Sequence, residues 1–308
     1  MKTKIVTAYW MDVNGFPFQG SSNTRKERYL GSLISHCKNL NLPVVCYTHA
    51  KSLSEVEKIK DDYKLFNLEI KILELSDMKL HDRIDNVRGD VEDIKFDGRG
   101  PEIMWGKFDV LERELNNADF VYWLDAGLQH PGIFPWRYSK KYNTVDTQPA
   151  PNGWWTDYDV YDSSKLFNYK IFENLNVICK NKIVLLSSYG PQISYRTSYR
   201  DIIDYHLISP FPVGGMIGGN TMILKKFIEF FWLYANKILD NRFLCTEEAI
   251  MKLSRDKMNS DEIIDFMFDA FHFGEHDIFH FKMWDETLNI PKPLYVVWHD
   301  ILNYKKEN

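Results

Sequence analysis

Cysteine is sparse in this 308-residue chain: Cys37, Cys46, Cys179 and Cys245 are widely separated and form no C-x-x-C pair. That spacing argues against a disulfide framework or a paired-thiolate motif, and it fits reduced, buried thiols. No apolar run is long enough to span a bilayer. The most apolar helical stretch, Phe227 to Leu239, is interrupted by Glu229 and Lys237 and preceded by Lys225 and Lys226. Met-Lys-Thr-Lys leads straight into a strand-like run with no apolar signal region, so a cytoplasmic protein is expected. Positive charge is not in excess. A formal net charge of −5 argues against a chain whose main task is gripping polyanions, though it leaves room for a local basic groove. No internal repeat, low-complexity tract or linker is visible, so one domain over 1–308 is expected, with a ligand-binding half (1–130) and a less regular half (131–308).

Hydrophobic residues at 44% and charged residues at 26% are those of an ordinary globular chain, long enough to bury a sizeable core. Aromatics are plentiful at 15%, and several cluster in loop-like stretches, where ring faces serve either as stacking platforms or as packing.

The first 125 residues alternate strand and helix. Ile5 to Trp10, Pro43 to Tyr47, Leu68 to Leu73 and Phe120 to Leu124 read as buried strands. Between them, a helix after the Thr24-Arg-Lys-Glu27 capping box carries Tyr29, Leu30, Leu33 and Ile34. A polar helix follows over Leu53 to Tyr63. Pro101 opens another, striped with Met104, Phe108, Leu111 and Leu115. Residues 74–100 read as a long charged loop. Such alternation predicts an α/β fold with a mostly parallel, Rossmann-type sheet flanked by helices. Further on, residues 131–165 are rich in Pro and Trp and fit no single element. Ile183 to Ser187 is a strand, Val213 to Leu224 a twice glycine-paired segment entering an amphipathic helix. Helices are expected from Thr246 and over Asp261 to Phe271, and a last strand over Leu294 to Trp298.

The fourth strand ends abruptly in Asp125-Ala-Gly127. Open α/β sheets bind ligands at the carboxyl ends of their strands, which is where Asp125 would stand; the alternative is a strand-end Asp capping a turn. Asp125-Ala-Gly127, Gly214-Gly-Met-Ile-Gly-Gly219 and Thr246-Glu-Glu248, in that order, resemble the bacterial HtrL/YibB-like family, a branch of the GT-A glycosyltransferases. The resemblance runs from the Val6-Thr-Ala-Tyr9 strand to the His-rich C-terminal part.

It implies a GT-A fold, a nucleotide-sugar donor (a UDP-sugar favoured) and an acceptor hydroxyl. It also implies a divalent metal, Mn²⁺ or Mg²⁺, on the diphosphate. Such enzymes carry Asp-x-Asp at the end of the fourth strand; Asp125 matches the first, whereas Gly127 stands at the second. A lone Asp needs the diphosphate and another side chain to complete an octahedron, and His276, with His130, His272 and Asp277 also in view, is the candidate to help Asp125.

Other residues join the candidate site. Ala8, Tyr9 and Trp10 end the first strand where a base would stack, or belong to the core. Arg28, with Arg25, opens the first helix, facing the donor or solvent. Lys107 either supplies a cation to the diphosphate or is a solvated helix lysine. Gly214, Gly215 and Asn220 mark a sugar-binding loop or a tight bend. Glu248 and Glu247 either complement a helix dipole or include the catalytic carboxylate; neighbours on a helix point about 100° apart, and Glu248 is the first choice.

A transferase acting on a saccharide or glycoconjugate leads this reading. A hydroxymethylated DNA acceptor is the second possibility, favoured by Tyr195-Arg-Thr-Ser-Tyr-Arg200. A catalytically silent sugar-nucleotide binder, favoured by Gly127, is the third.

Overall fold

The computed structural model describes residues 1–10, 22–88, 100–126, 137–139, 144–146, 168–188, 211–267 and 301–302. Among these, β1 (Thr3–Tyr9), α1 (Ser22–Leu40), β2 (Val44–Thr48), α2 (Ala50–Asp62) and β3 (Leu68–Ile72) open the chain. Next come a turn at Leu75–Asp77, α3 (His81–Arg88), α4 (Gly100–Glu114) and β4 (Phe120–Leu124). A small antiparallel pair, β5 (Arg137–Ser139) and β6 (Thr144–Asp146), precedes α5 (Tyr169–Ile178), β7 (Ile183–Ser188) and β8 (Phe211–Asn220). The series ends with α6 (Thr221–Asp240), α7 (Glu247–Arg255) and β9 (Ile263–Met267).

Seven strands form one sheet in the order β3-β2-β1-β4-β8-β7-β9. Only β8 runs against the others. The fold is therefore α/β with a mostly parallel sheet. Strand continuity explains why it is buried: β2 and β4 are buried at every position, as expected when helices cover both faces.

One apolar cluster joins Val6, Val121, Leu185 and Ile217 to residues of α3, α4, α6 and α7, and a second joins Ile5, Tyr122, Val184 and Met216 to α1, α2 and α5. Alternate residues of the same strands feed the two layers. Against the first layer, α4 lies between sheet and α6, with the Phe108 and Phe231 rings stacked at 3.7 Å. This position buries nearly the whole of α4, including Lys107.

Several expectations shift. α1 starts at Ser22, which puts Thr24 inside its first turn and not at its cap. Residues 81–88 are helical within the expected loop, with Ile84 and Val87 buried. The expected helix over Asp261 to Phe271 is instead a turn followed by β9: Ile263 and Ile264 are β-branched, and pairing to β7 gives their backbone its hydrogen bonds. α5 was not expected; Asn168 caps it, accepting from the Lys170 amide at 3.0 Å, and Ile171, Phe172 and Leu175 face the core. The strand expected at Leu294 to Trp298 lies outside the described residues.

All four cysteines are free and buried. Burial pushes the Cys37 and Cys179 thiols up to about 12, and the Cys46 and Cys245 thiols upward as well.

Candidate functional site at the carboxyl edge of the sheet

The chain leaves β1 toward β2 and β3 on one side of the sheet and adds β4 on the other. Such a reversal leaves a crevice outside the carboxyl ends of the two central strands. Val6 pairs with Trp123, so two residues further on Ala8 and Asp125 stand side by side at that edge. Ala8 and Asp125 are half-buried among otherwise buried neighbours. Asp125 donates its amide to the Gly215 carbonyl at 2.9 Å, which ties the strand end to the start of antiparallel β8.

The opening of β8 is irregular. Leu185 pairs with Ile217 and Ser187 with Pro212, so β8 carries three more residues than β7 between the same two rungs. Gly214 and Gly215 lie in this bulge, a device found beside functional sites. The Gly214 carbonyl accepts from Trp123 Nε1 at 3.0 Å and from Lys107 Nζ at 3.2 Å. Lys107 Nζ also donates to Glu247 Oε1 at 2.6 Å. A Cβ on Gly214 would lie 2.2 Å from Lys107 Nζ and 2.5 Å from Glu247 Oε1. The glycine is what lets the ion pair lie against the bulge.

Lys107 is buried, and burial works against its charge. The carboxylates of Glu247, Asp125 and Glu248 outweigh that and hold its pKa above the ordinary lysine value. The candidate cluster is thus one ammonium facing three carboxylates. Glu247, in the first turn of α7, is buried and committed to Lys107, whereas Glu248 is half-buried. The α7 entrance is fixed from α4 as well, since Trp105 Nε1 donates to the Cys245 carbonyl at 3.0 Å.

The sequence-derived candidates separate accordingly. Asp125, Ala8, Lys107, Gly214, Gly215, Glu247 and Glu248 share the carboxyl edge. Lys107 is a buried, paired cation and not a solvated helix lysine. Tyr9 belongs to the opposite layer and donates its hydroxyl to Glu55 at 2.9 Å. Trp10 is buried in the core layer of α4.

Asn220 pairs with Phe120 at the amino end of β4, four residues or about 13 Å from Leu124 at a strand's rise. There it caps α6, accepting from the Met222 amide at 3.0 Å, and donates to the Lys180 carbonyl at 2.9 Å. The second glycine pair lies near that end too. A Cβ on Gly218 would meet the Val121 carbonyl oxygen at 2.4 Å, so this glycine serves strand packing. Arg28 lies in α1, its side chain outside the described residues, as are Gly127 and His276 together with His130, His272 and Asp277. Trp123 was missed because it reads as core. The signal was its place two residues before Asp125, hence on the same face of the strand.

For a divalent metal, the donor set decides. Among the described residues, the one trio of ligand-bearing side chains close enough to hold an ion is His81, Asp85 and Glu102. It lies on α3 and the first turn of α4, where Arg88 bridges both carboxylates. Asp125 has no such partners in the described set, and Glu247 spends an oxygen on Lys107. These residues do not make a protein-built metal cage at Asp125.

No protein-family model and no curated protein matches the chain, so the HtrL/YibB-like resemblance rests on the quoted motifs. Among solved structures, mouse xyloside xylosyltransferase 1 in its apo form is similar at 10% identity and a TM-score of 0.49, over 96% of both chains. The galactosyltransferase LgtC with donor and acceptor sugar analogues is similar at 11% identity and a TM-score of 0.44, over 98% of this chain and 84% of that one. A 4-diphosphocytidyl-2C-methyl-D-erythritol synthase from Anaerococcus prevotii follows at 11% identity and a TM-score of 0.39, covering 91% of this chain and 93% of that one. At these identities and scores the likenesses carry no argument about substrate or residue. The chain's own sheet and edge cluster define an α/β protein with a Rossmann-type ligand-binding crevice.

Proposed function

We propose that this chain is a GT-A-type glycosyltransferase, moving a sugar from a nucleotide-diphosphate-sugar, with UDP-sugars the favoured donors, to a hydroxyl of a saccharide or glycoconjugate. The observation that carries the reading is Asp125 at the carboxyl end of β4, beside the β1–β4 crevice, with Lys107 and the carboxylates of Glu247 and Glu248 gathered against it. The resemblance of the Asp125, Gly214 and Thr246 motifs supports the same assignment.

Transfer to a hydroxyl needs a base for its proton and an environment that tolerates the leaving diphosphate. In this reading Glu248 takes the proton, because Glu247 is neutralised by Lys107. Lys107 holds Glu247 and the Gly214 carbonyl in place, and Asp125 faces the donor. Any metal on the diphosphate would draw ligands from the donor itself, and no step here depends on it. Buried free thiols support a reducing compartment such as the cytoplasm. The Tyr195 to Arg200 segment behind a DNA acceptor lies outside the described residues, and no described feature favours that acceptor.

The test is nucleotide release. The protein is incubated with UDP- and GDP-sugars, with and without Mn²⁺, alongside an Asp125→Asn variant. Release by the parent, reduced by at least about 100-fold in the variant, is expected. Absence of release from every donor sinks the enzyme and leaves a silent binder, which nucleotide-sugar titration then detects.

A further inference from the structure

Four tryptophans are described, and three of them satisfy their indole N–H within the protein. Trp105 donates to the Cys245 carbonyl, Trp123 to the Gly214 carbonyl and Trp232 to Glu112 Oε2, at 3.0, 3.0 and 2.9 Å. Trp10 is the exception. It is 6% exposed, and its buried Nε1 has no hydrogen-bond partner among the described residues.

An indole N–H is a donor only, and a buried one is nearly always paired. Leaving it unmade destabilises the protein without return, and a phenylalanine would fill the same apolar layer without that cost. A tryptophan kept here needs an acceptor from elsewhere.

The position of Trp10 indicates which acceptor. It follows β1 directly, two residues beyond Ala8, which stands beside Asp125 and is one of the few residues of β1 not fully buried. Its ring tip reaches α4: the Cη2 atom lies 3.4 Å from where a Gly106 Cβ would be, next to Lys107 in sequence. Trp10 therefore lines the β1 side of the crevice whose β4 side carries Asp125. The charged cluster of Asp125, Lys107, Glu247 and Glu248 occupies the β4 and β8 side. A nucleotide bound across the crevice with its diphosphate toward that cluster presents its nucleoside, rich in carbonyl and hydroxyl oxygens, to β1.

We propose that Trp10 is a binding residue that donates its indole N–H to an oxygen of the donor's nucleoside, recognising that part by a hydrogen bond at its edge and not by ring stacking. The inference rests on the nucleotide-sugar reading of the site. It adds a residue role which stacking, the expected use of an aromatic at a strand end, does not contain.

The experiment follows the indole N–H resonances of ¹⁵N-labelled full-length protein by NMR, the Trp10 signal being the one missing from Trp10→Phe. UDP, GDP, CDP and ADP are titrated to find the tightest nucleotide. Its free nucleoside and inorganic pyrophosphate are then titrated separately. The Trp10 indole proton is expected to move downfield with nucleotide and nucleoside and to stay in place with pyrophosphate. Trp10→Phe is expected to bind the nucleotide about 5-fold to 10-fold more weakly, as for loss of one neutral hydrogen bond, with a Tm no lower than the parent's. A purely structural tryptophan would give the opposite pair of results, a lower Tm and unchanged affinity.

The proposal is overturned if nucleotide shifts other resonances while the Trp10 signal stays in place, or if pyrophosphate alone moves it. In either case the nucleotide reading stands. If none of the four nucleotides shifts any resonance, that reading falls, and this role with it.

Discussion

Gly214 is the smallest residue at the candidate site and the one with least freedom to change. A methyl group there would overlap both Lys107 Nζ and Glu247 Oε1. Gly214→Ala is expected to separate the pair, lower stability by about 1–3 kcal/mol, the usual cost of overpacking, and reduce nucleotide release with it. Urea unfolding and the release assay measure the two effects. Lys107→Met goes further, because it leaves Glu247 buried without its cation. A cost of about 3–5 kcal/mol is expected, largely recovered when Glu247→Gln is added, whereas activity is not recovered. Loss of stability in both single and double variants alike would show that the pair is not the cause. The Lys107 pKa is raised in the folded state, so its contribution is complete at neutral pH and is lost only as pH climbs past the ordinary lysine range, near ~10.4. Among these residues Asp125, Gly214 and Lys107 were legible from strand-end and glycine patterns. Glu247 over Glu248 was not, since one helical turn decides which carboxylate meets Lys107 and composition does not record it.

At the scale of elements, α4 is held at both ends. Its C-terminal Glu114 is buried, with Oε2 2.6 Å from Lys4 Nζ on β1, and Oε1 2.5 Å from Lys71 Nζ on β3 and 2.7 Å from the Tyr47 hydroxyl on β2. One carboxylate thereby clamps the helix to three neighbouring strands. Burial alone would raise the Glu114 pKa, but the donors from Lys4, Lys71 and Tyr47 outweigh it and hold the pKa below the usual carboxylate value. A depressed folded pKa gives stability that is present above the unfolded value, near ~4.3, and lost as pH falls through the folded one. Glu114→Gln is expected to cost roughly 3 kcal/mol at neutral pH and to flatten the acid limb of a plot of Tm against pH, read by circular dichroism. An unchanged acid limb would place the acid sensitivity elsewhere. The elements themselves were readable where one signal dominated, as in β4 with its unbroken apolar run. β9 was misread because Ile263, Ile264 and Phe266 suit a helix as well as a strand, and only its partner β7 settles which. The helix α5 was passed over beside a Pro- and Trp-rich stretch, although Asn168 and the Ile171, Phe172 and Leu175 spacing announce it.

The whole sheet draws strands from both halves of the chain, with β8 of the second half inserted between β4 and β7. Sequence alternation predicted the first four strands and their parallel sense. It held nothing to show that β8 would run the other way, because an antiparallel entry depends on where the preceding segment ends in space. Among the described residues no helix is long and apolar enough to cross a membrane.

Lys107 and Glu247 lie 140 residues apart in the chain, and Trp105 reaches Cys245 over the same separation. Contacts of such long range form late, after loop-closure entropy has been overcome. The first four strands can collapse while the crevice still has one wall, and only the arrival of β8 and α7 adds the other. Binding competence should therefore report completed folding. After dilution from urea, nucleotide binding is expected to return no earlier than the slowest phase seen in far-UV circular dichroism. Return in an earlier phase would mean that the pocket matures before the sheet has closed around it.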